Sequence, residues 1–296
     1  MNDLILGIHT SHTSPIITNK KKRELHDAIK EDVDKFGLNA VQIFTHGPRL
    51  PTENKLDYEK INKVSHDLDV TVHSPYTTVG LWKIQSDNKN DSVSKRKITQ
   101  LKSQLLAVKK AGGWCMVVHI TKTLPENIAY TMKLIKPIVK KIGVKISLEM
   151  VASKADREKT YETPEKLDNL ITLLGIKEKY YCITVDTAHI WAAGVDVRSY
   201  EAMNDWINRM TFKKKIEMFH LNGSFSERGS GKDKHAVPFS TNDKIWHGID
   251  PNKSGVKAVV DFARSNNITI ICEINRGTEE EIFNGLNIIK KLGGVD

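Results

Sequence analysis

One pattern recurs along the chain: a short β-branched apolar run, a polar loop, then a longer segment with apolar residues at helical spacing that ends near Gly or Asn. The apolar runs fall at 4–10, 40–44, 70–73, 114–120, 145–150, 181–187, 216–221 and 268–274. Amphipathic segments between and after them span 22–36, 58–68, 94–110, 125–142, 164–174, 200–210, 254–265 and 279–291. Gly37, Gly112-Gly113, Gly143 and Asn266-Asn267 each close a helix just before a strand, and Thr163-Pro164-Glu165 opens one. Alternating units without a Pro/Ser-rich linker or composition break predict an α/β protein, a single (β/α)8 TIM barrel over residues 1–296. An open doubly wound sheet is the structural alternative. The longest stretch without a clear element, 222–252, follows the seventh strand, and in a barrel it belongs to the mouth.

Composition narrows the class only modestly. With 39% hydrophobic and 27% charged residues the chain is an ordinary globular protein, neither collagen-like nor wholly disordered. No apolar run approaches the ~18 residues of a membrane span, and the N-terminus lacks a basic region ahead of a signal-like stretch. An intracellular protein without membrane association is expected, cytoplasmic or nuclear. The 3 cysteines, at 115, 182 and 272, have no short spacing and suggest neither a disulfide framework nor a cysteine-only zinc site. Pleat parity turns Cys272 away from Glu273 and places Cys115 and Cys182 deep along their strands, so all three read as core. A formal charge of +9 predicts an anionic partner such as nucleic acid.

The chemistry gathers at the strand ends. His73, His119, Glu149, Asp186 with His189, His220, Asp233 with His235, and Glu273 fall at or just beyond the C-terminal ends of the third to eighth strands. In a barrel those ends share one face, so side chains far apart in sequence become neighbours. Carboxylates crowded there without cations would repel and must protonate or bind metal. A mixed His/Asp/Glu set suits Zn²⁺, with Mn²⁺ or Fe²⁺ as substitutes, better than Mg²⁺ or Ca²⁺. The set exceeds what one ion uses and leaves room for two or three. Three divalent ions, the four carboxylates and one bridging hydroxide would leave the site at roughly +1, suited to a phosphate oxygen, which points to phosphoester hydrolysis. Taken singly, a strand-end His or Asp is more often structural than a ligand; sharing one face is what makes the set a signal. His26 and His66, on helix surfaces, read as solvated groups, and His9 and His12 serve structure or substrate contact equally well.

The spelling of these motifs resembles the endonuclease IV family of abasic-site DNA repair nucleases. The resemblance is carried by Val185-Asp186-Thr-Ala-His189, His220-Leu-Asn222, Asp233-Lys-His235, Gly7-Ile-His9-Thr-Ser11, Gln42-Ile-Phe-Thr, His73-Ser-Pro-Tyr76, Val118-His119, Leu148-Glu149 and Cys272-Glu273, which cover almost the whole chain. It implies three zinc ions, with Mn²⁺ a possible substitute. His73, His119 and Glu149 would hold the first, and Glu149 would bridge to a second held with Asp186, His220 and Glu273. His189, Asp233 and His235 would hold the third. The implied reaction is hydrolytic incision of double-stranded DNA 5′ to an abasic site, giving a 3′-hydroxyl and a 5′-deoxyribose phosphate, with trimming of blocked 3′ ends. A hydroxide between the first two ions would attack phosphorus, oriented by Glu273, with Glu149 the other catalytic carboxylate. DNA contact is expected from Tyr76 and Arg49 and mostly through the backbone, with the damaged nucleotide extruded, by a protein working as a monomer.

The chain departs from the family pattern at three places. Gly223 stands where the family has Asp after His-Leu-Asn, the Gly-Glu-Gly turn is reduced to Trp246-His247-Gly248, and 151–159 replaces a Gly-rich stretch. The compact ending and the His189-Ile-Trp-Ala-Ala spelling resemble virus-encoded members, whose sites of action are the host cytoplasm or nucleus and the virion. Two other functions compete. A sugar isomerase or epimerase of the same barrel superfamily would need only one or two ions, and an inactive DNA-binding scaffold would be expected to have lost ligands.

Overall fold

The computed structural model describes residues 2–12, 23–49, 53–120, 122–152, 160–274 and 277–295. Within them a parallel sheet closes on itself. In chain order its strands are β1 (Ile5–Thr10), β2 (Ala40–Phe44), β3 (Asp69–His73), β4 (Cys115–Ile120), β5 (Lys145–Met150), β6 (Tyr181–Asp186), β7 (Ile216–His220) and, after a two-residue hairpin pair β8 (Gly223–Ser224) and β9 (His235–Ala236), β10 (Thr269–Cys272). The hydrogen-bonded order runs β1-β10-β7-β6-β5-β4-β3-β2 and returns to β1. This is the (β/α)8 barrel, not the open sheet, and the eight predicted strands are its staves.

Helices α1 (Leu25–Phe36), α2 (Tyr58–Ser65), α3 (Ser92–Lys110), α4 (Pro125–Ile142), α5 (Pro164–Leu174), α6 (Thr187–Ala192), α7 (Tyr200–Arg209), α8 (Gly255–Asn266) and α9 (Glu279–Leu292) surround it. The expected stops hold: Gly37, Gly143 and Asn267 follow α1, α4 and α8 in the left-handed region. Thr163 precedes α5, with Pro164 in its first turn. Besides the short β8–β9 pair, two elements escape apolar periodicity. One is α6, a single buried turn continuing β6, and the other is a 3-10 segment, Tyr76–Lys83, beyond β3. Residue 22, the expected start of the first helix, and 153–159 lie outside the described residues. Among the described residues no helix is long and apolar enough to cross a membrane.

Two apolar layers result from strand alternation. Residues such as Ile8, Val41, Val72, Val118 and Leu148 face the helices and form a continuous shell. A smaller cluster, Ala40, Cys115, Val117, Met218 and Ile271, fills the barrel from the inside. Cys272 packs in the outer shell while Cys115 lies in the inner cluster, and all three thiols are free and buried. Above the inner cluster the inward positions turn polar, through Gln42, Thr71, Ser147 and Thr184, and end in the His and carboxylate layer.

The β1–β2 seam depends on the absence of a side chain. A Cβ on Gly7 would stand 2.3 Å from the Ala40 carbonyl oxygen, across the register pair Gly7–Ala40. Backbone cannot yield as a flexible side chain does. Gly7→Val is expected to destabilise the barrel by about 1–3 kcal/mol or more through overpacking. Urea denaturation of the two proteins checks this, and equal midpoints would refute the seam argument.

Candidate metal centre

Six strand ends deliver the polar layer. His73 ends β3, His119 and Glu149 are register partners on β4 and β5, Asp186 and His220 are partners on β6 and β7, and Glu273 follows β10. His189 comes from α6, whose N-cap is Asp186: that carboxylate accepts the His189 backbone N–H at 2.9 Å. Asp233 and His235 arrive on the β8–β9 hairpin inside the segment read as loop.

The side chains converge as three overlapping sets. In the first, His73 Nε2, His119 Nε2 and Glu149 Oε2 stand 3.2 Å (His–His), 3.4 Å and 3.2 Å apart. Tetrahedral ligands at the 2.0–2.1 Å of a zinc–nitrogen bond are separated by about 3.3 Å, so this triangle has the edges of a metal site. In the second, His220 Nδ1 lies 3.0 Å from Glu149 Oε1, 3.3 Å from Glu273 Oε2 and 3.8 Å from Asp186 Oδ2. Glu149 therefore offers one oxygen to each set. In the third, Asp233 Oδ1 lies 3.3 Å from His189 Nε2 and 2.8 Å from His235 Nε2, with Asp186 Oδ2 3.6 Å from His235 Nε2. Asp186, His189 and His235 also satisfy the spacing for one ion, so Asp186 stands between the second and third sets.

Hydrogen bonds on the far side of each ring fix which nitrogen faces inward. His73 Nδ1 meets the Ser74 carbonyl at 2.7 Å, and His189 Nδ1 meets the Met150 carbonyl at 2.8 Å. Each ring therefore donates from Nδ1 and presents Nε2. His220 is reversed, with Nε2 donating to Gln42 Oε1 at 3.0 Å and Nδ1 presented. Gln42 Nε2 in turn donates to Glu273 Oε1 at 2.7 Å and lies 3.0 Å from His9 Nδ1. Asn222 donates to Asp186 Oδ2 at 2.7 Å and accepts the Glu273 backbone N–H at 2.7 Å. Motif spelling had placed Gln42 and Asn222 among the family residues without a role, and their amides prove to be the braces of the second set. His9 is the contact beside Glu273, at 3.7 Å; His26 is half-buried and His66 exposed.

The electrostatics match this crowding. Burial disfavours an ionised Glu149, yet His220 and His119 outweigh it and hold the carboxyl well below its usual range. Asp233 is likewise held far down by His189 against the cost of burial. In the opposite sense, Glu273 and Glu149 overcome burial and raise His220 to about 9, while Asp186 and Asp233 do the same for His235, also to about 9. For Asp186 burial prevails and the pKa rises. Even so, Glu149 Oε2, His189 Nε2 and both ring nitrogens of His235 are buried without a hydrogen-bond partner. Orphaned buried polar atoms cost about 1–3 kcal/mol each, and these face the sets just described, so the donors fit divalent cations. A larger cavity of about 570 Å³ near Asp69, Trp114 and Lys145, at the starting ends of the strands, gathers no comparable set among the described residues.

Tyr76 stands at the rim, 48% exposed, its ring stacked on His119 at 5.6 Å and edge-on to His73 at 5.8 Å. Arg49 is exposed in the loop after β2. Gly223 has a steric reason: a Cβ there would lie 2.6 Å from Cγ of Asp243. The Asp243 carboxylate accepts the backbone N–H groups of Ser224, Phe239, Ile245 and Trp246 and so braces the segment carrying Asp233 and His235.

A (β/α)8 barrel with three sets of His and carboxylate atoms at its C-terminal mouth defines a class of metal-dependent enzymes. A profile of the xylose isomerase-like TIM barrel family matches residues 31–292. A Mycoplasmopsis pulmonis protein named "Probable endonuclease 4" is 30% identical over 283 residues, 90% of this chain and 92% of that protein. An African swine fever virus protein named "Probable AP endonuclease" is 29% identical over 263 residues, 85% of this chain and 84% of that one. The crystal structure of AsfvAP:AG superposes with a TM-score of 0.80 at 26% identity, covering 98% of this chain and 99% of that chain. The chain belongs to the xylose isomerase-like TIM barrel family and, within it, to the endonuclease IV family.

Gln42 is the brace whose loss reports on this geometry. Gln42→Ala should lower metal affinity or turnover by about 10- to 100-fold, the usual effect of removing a partner that orients metal ligands. Metal analysis and steady-state kinetics read it, and a variant matching the parent in both would show the bridge to be idle.

Proposed function

We propose that the chain is a metal-dependent endonuclease that hydrolyses duplex DNA on the 5′ side of an abasic site, giving a 3′-hydroxyl and a 5′-deoxyribose phosphate. The observation that carries this reading is the overlap of three cation-type sets through Glu149 and Asp186, in a chain whose relatives bear endonuclease names. Zn²⁺ is the proposed ion, three per chain, with Mn²⁺ a substitute. His73, His119 and Glu149 would hold the first, Glu149, Asp186, His220 and Glu273 the second, and His189, Asp233 and His235 the third. When bound, such ions supply Lewis acidity to phosphate oxygens and acidify water at neutral pH.

The protein's own groups set the stage for that chemistry. Glu149, with no exposed surface, keeps two sets at fixed separation. Glu273 is clamped by Gln42 on one oxygen and reached by Asn222 at 3.5 Å on the other, so its direction is set before substrate arrives. This clamping suits Glu273 to accept a hydrogen bond from the attacking water. Tyr76 offers an aromatic edge to the duplex and shields the first set from solvent. Arg49 is proposed to pair with a backbone phosphate, and the surplus of cations makes binding steeply salt-dependent. Recognition through backbone and a missing base leaves little dependence on surrounding sequence. A third set whose Asp233 side chain is 43% exposed separates this reading from a sugar isomerase that needs fewer ions.

The test is a duplex with one abasic analogue that cannot undergo β-elimination. The purified protein should nick it once, 5′ to the lesion, with a 3′-hydroxyl end, and prolonged chelation should abolish this. Intact substrate after incubation with fully metallated protein would reject the assignment. His189→Ala should lower the zinc count by about one per chain, since one of the three ligands in the most exposed set is lost; an unaltered count would remove His189 from the third site.

A further inference from the structure

Beside the rim, on the outer side of Tyr76, lies a second cavity of about 280 Å³ whose walls include Thr77, Arg96, Lys97, Gln100 and Gln104. It is formed where the 3-10 segment Tyr76–Lys83 meets residues 96–104 in the middle of α3. That segment begins three residues after His73, the C-terminal end of β3, which puts the cavity beside the mouth. Resting on the reading of the chain as a DNA-incising enzyme, we propose that this cavity is a phosphate-binding subsite that grips the DNA backbone to one side of the lesion.

Three observations carry the proposal. The lining contains no Asp or Glu, and beside Leu81 and Leu101 it offers two cations, two carboxamides and the Thr77 and Thr78 hydroxyls. Neither Arg96 nor Lys97 makes an ion pair or hydrogen bond among the described residues, in a chain where many other cations do. Lys97 lies across the 3-10 segment, its Cε 3.6 Å from where a Cβ on Gly80 would stand. Burial and Lys83 lower its pKa against the opposing pull of Asp91, the nearby acid at the start of the same helix. Asp91 makes no direct ion pair with either cation, so both charges stay available to an anion in the cavity. Finally, Gln104 is 3% exposed, and its carboxamide oxygen accepts the Thr78 hydroxyl at 3.2 Å. Its amide nitrogen makes no hydrogen bond among the described residues and is not itself buried, so it offers a donor at the surface of the cavity.

Guanidinium, ammonium and amide donors around one cavity are the chemistry of a phosphodiester. A DNA source is favoured over a free anion by place: Thr77 follows directly on Tyr76, which stacks on His119 of the metal centre. A duplex lying over Tyr76 carries phosphates past the cavity on the same face.

The experiment compares the metal-loaded parent with the double variant Arg96→Gln/Lys97→Gln, the charge-inserting Gln100→Glu, and Lys102→Gln, an exposed control on the same helix. KM and kcat are measured on the abasic-analogue duplex, and affinity for an undamaged duplex is followed across a salt series. The double variant should raise KM about 10-fold with kcat nearly constant, and lower the slope of log affinity against log salt by about one to two. Gln100→Glu should raise KM similarly without removing a cation, which keeps the proposal testable if the double variant does not fold. Lys102→Gln should change KM less than about twofold. Equal losses in the double variant and the control, or no loss in either, would overturn the subsite. So would a double variant that alters inhibition by inorganic phosphate while leaving duplex KM unchanged. If the parent cuts no abasic duplex yet the variants still weaken binding to undamaged duplex, the cavity stands and the proposed reaction falls.

Discussion

Four carboxylates share the mouth of this barrel, and their repulsion in a desolvated space is the constraint around which the rest is arranged. Glu149 has no exposed surface and touches sets on either side of it, so no water shell can neutralise it. Imidazoles supply part of the compensation, which is why His220 and His235 are pushed upward in pKa while Glu149 and Asp233 are pushed down. The compensation is incomplete, because Glu149 Oε2 and the inward nitrogens of His189 and His235 still lack partners. A bound cation would complete it, and its charge would then also be available to a phosphate oxygen.

Much of the architecture was legible because a strand repeats every two residues. Knowing that Glu273 points inward settles that Cys272 points outward, and the structure places Cys272 in the outer shell. The convergence of His73, His119, Glu149, Asp186, His220 and Glu273 follows from the same parity plus closure of the barrel. What escaped reading lacks periodicity or chemical distinctiveness. The turn α6 continues a buried strand without changing its hydrophobicity, and β8 and β9 are two residues each. Gln42 and Asn222 carry neutral amides that sequence cannot distinguish from any other polar inward position. Only the register, His9 opposite Gln42 and His220 beside β10, shows that these amides meet a histidine and a carboxylate.

The departure at Gly223 illustrates how one position can be judged only through its neighbour. Read alone, losing an acid close to His220 suggests a weakened site. In the structure the space that a side chain at 223 would take is filled by Asp243, which gathers four backbone N–H groups from the segment around it. Burial raises the pKa of Asp243, and those hydrogen bonds pull the other way. An acid is thus retained beside the hairpin but reaches it from further along the chain, and an Asp at 223 would face it at contact distance. The loop that brings Asp233 and His235 to the third set is anchored by this rearrangement.

The three sets differ in the elements that carry them. The first two sets are built on strand ends, where register fixes each position and the rings of His73 and His220 are also held by a partner behind them. The third is assembled from a short helix and a hairpin, and its Asp233 side chain is 43% exposed, flanked by exposed Lys232 and Lys234. Tyr76, Arg49 and the Asp233 hairpin all project beyond the strand ends and are exposed there. The strand-borne sets are thus positioned by the register of the sheet, whereas the third depends on the short helix capped by Asp186 and on a hairpin anchored by Asp243, so its geometry rests on local caps and turns in place of the barrel itself.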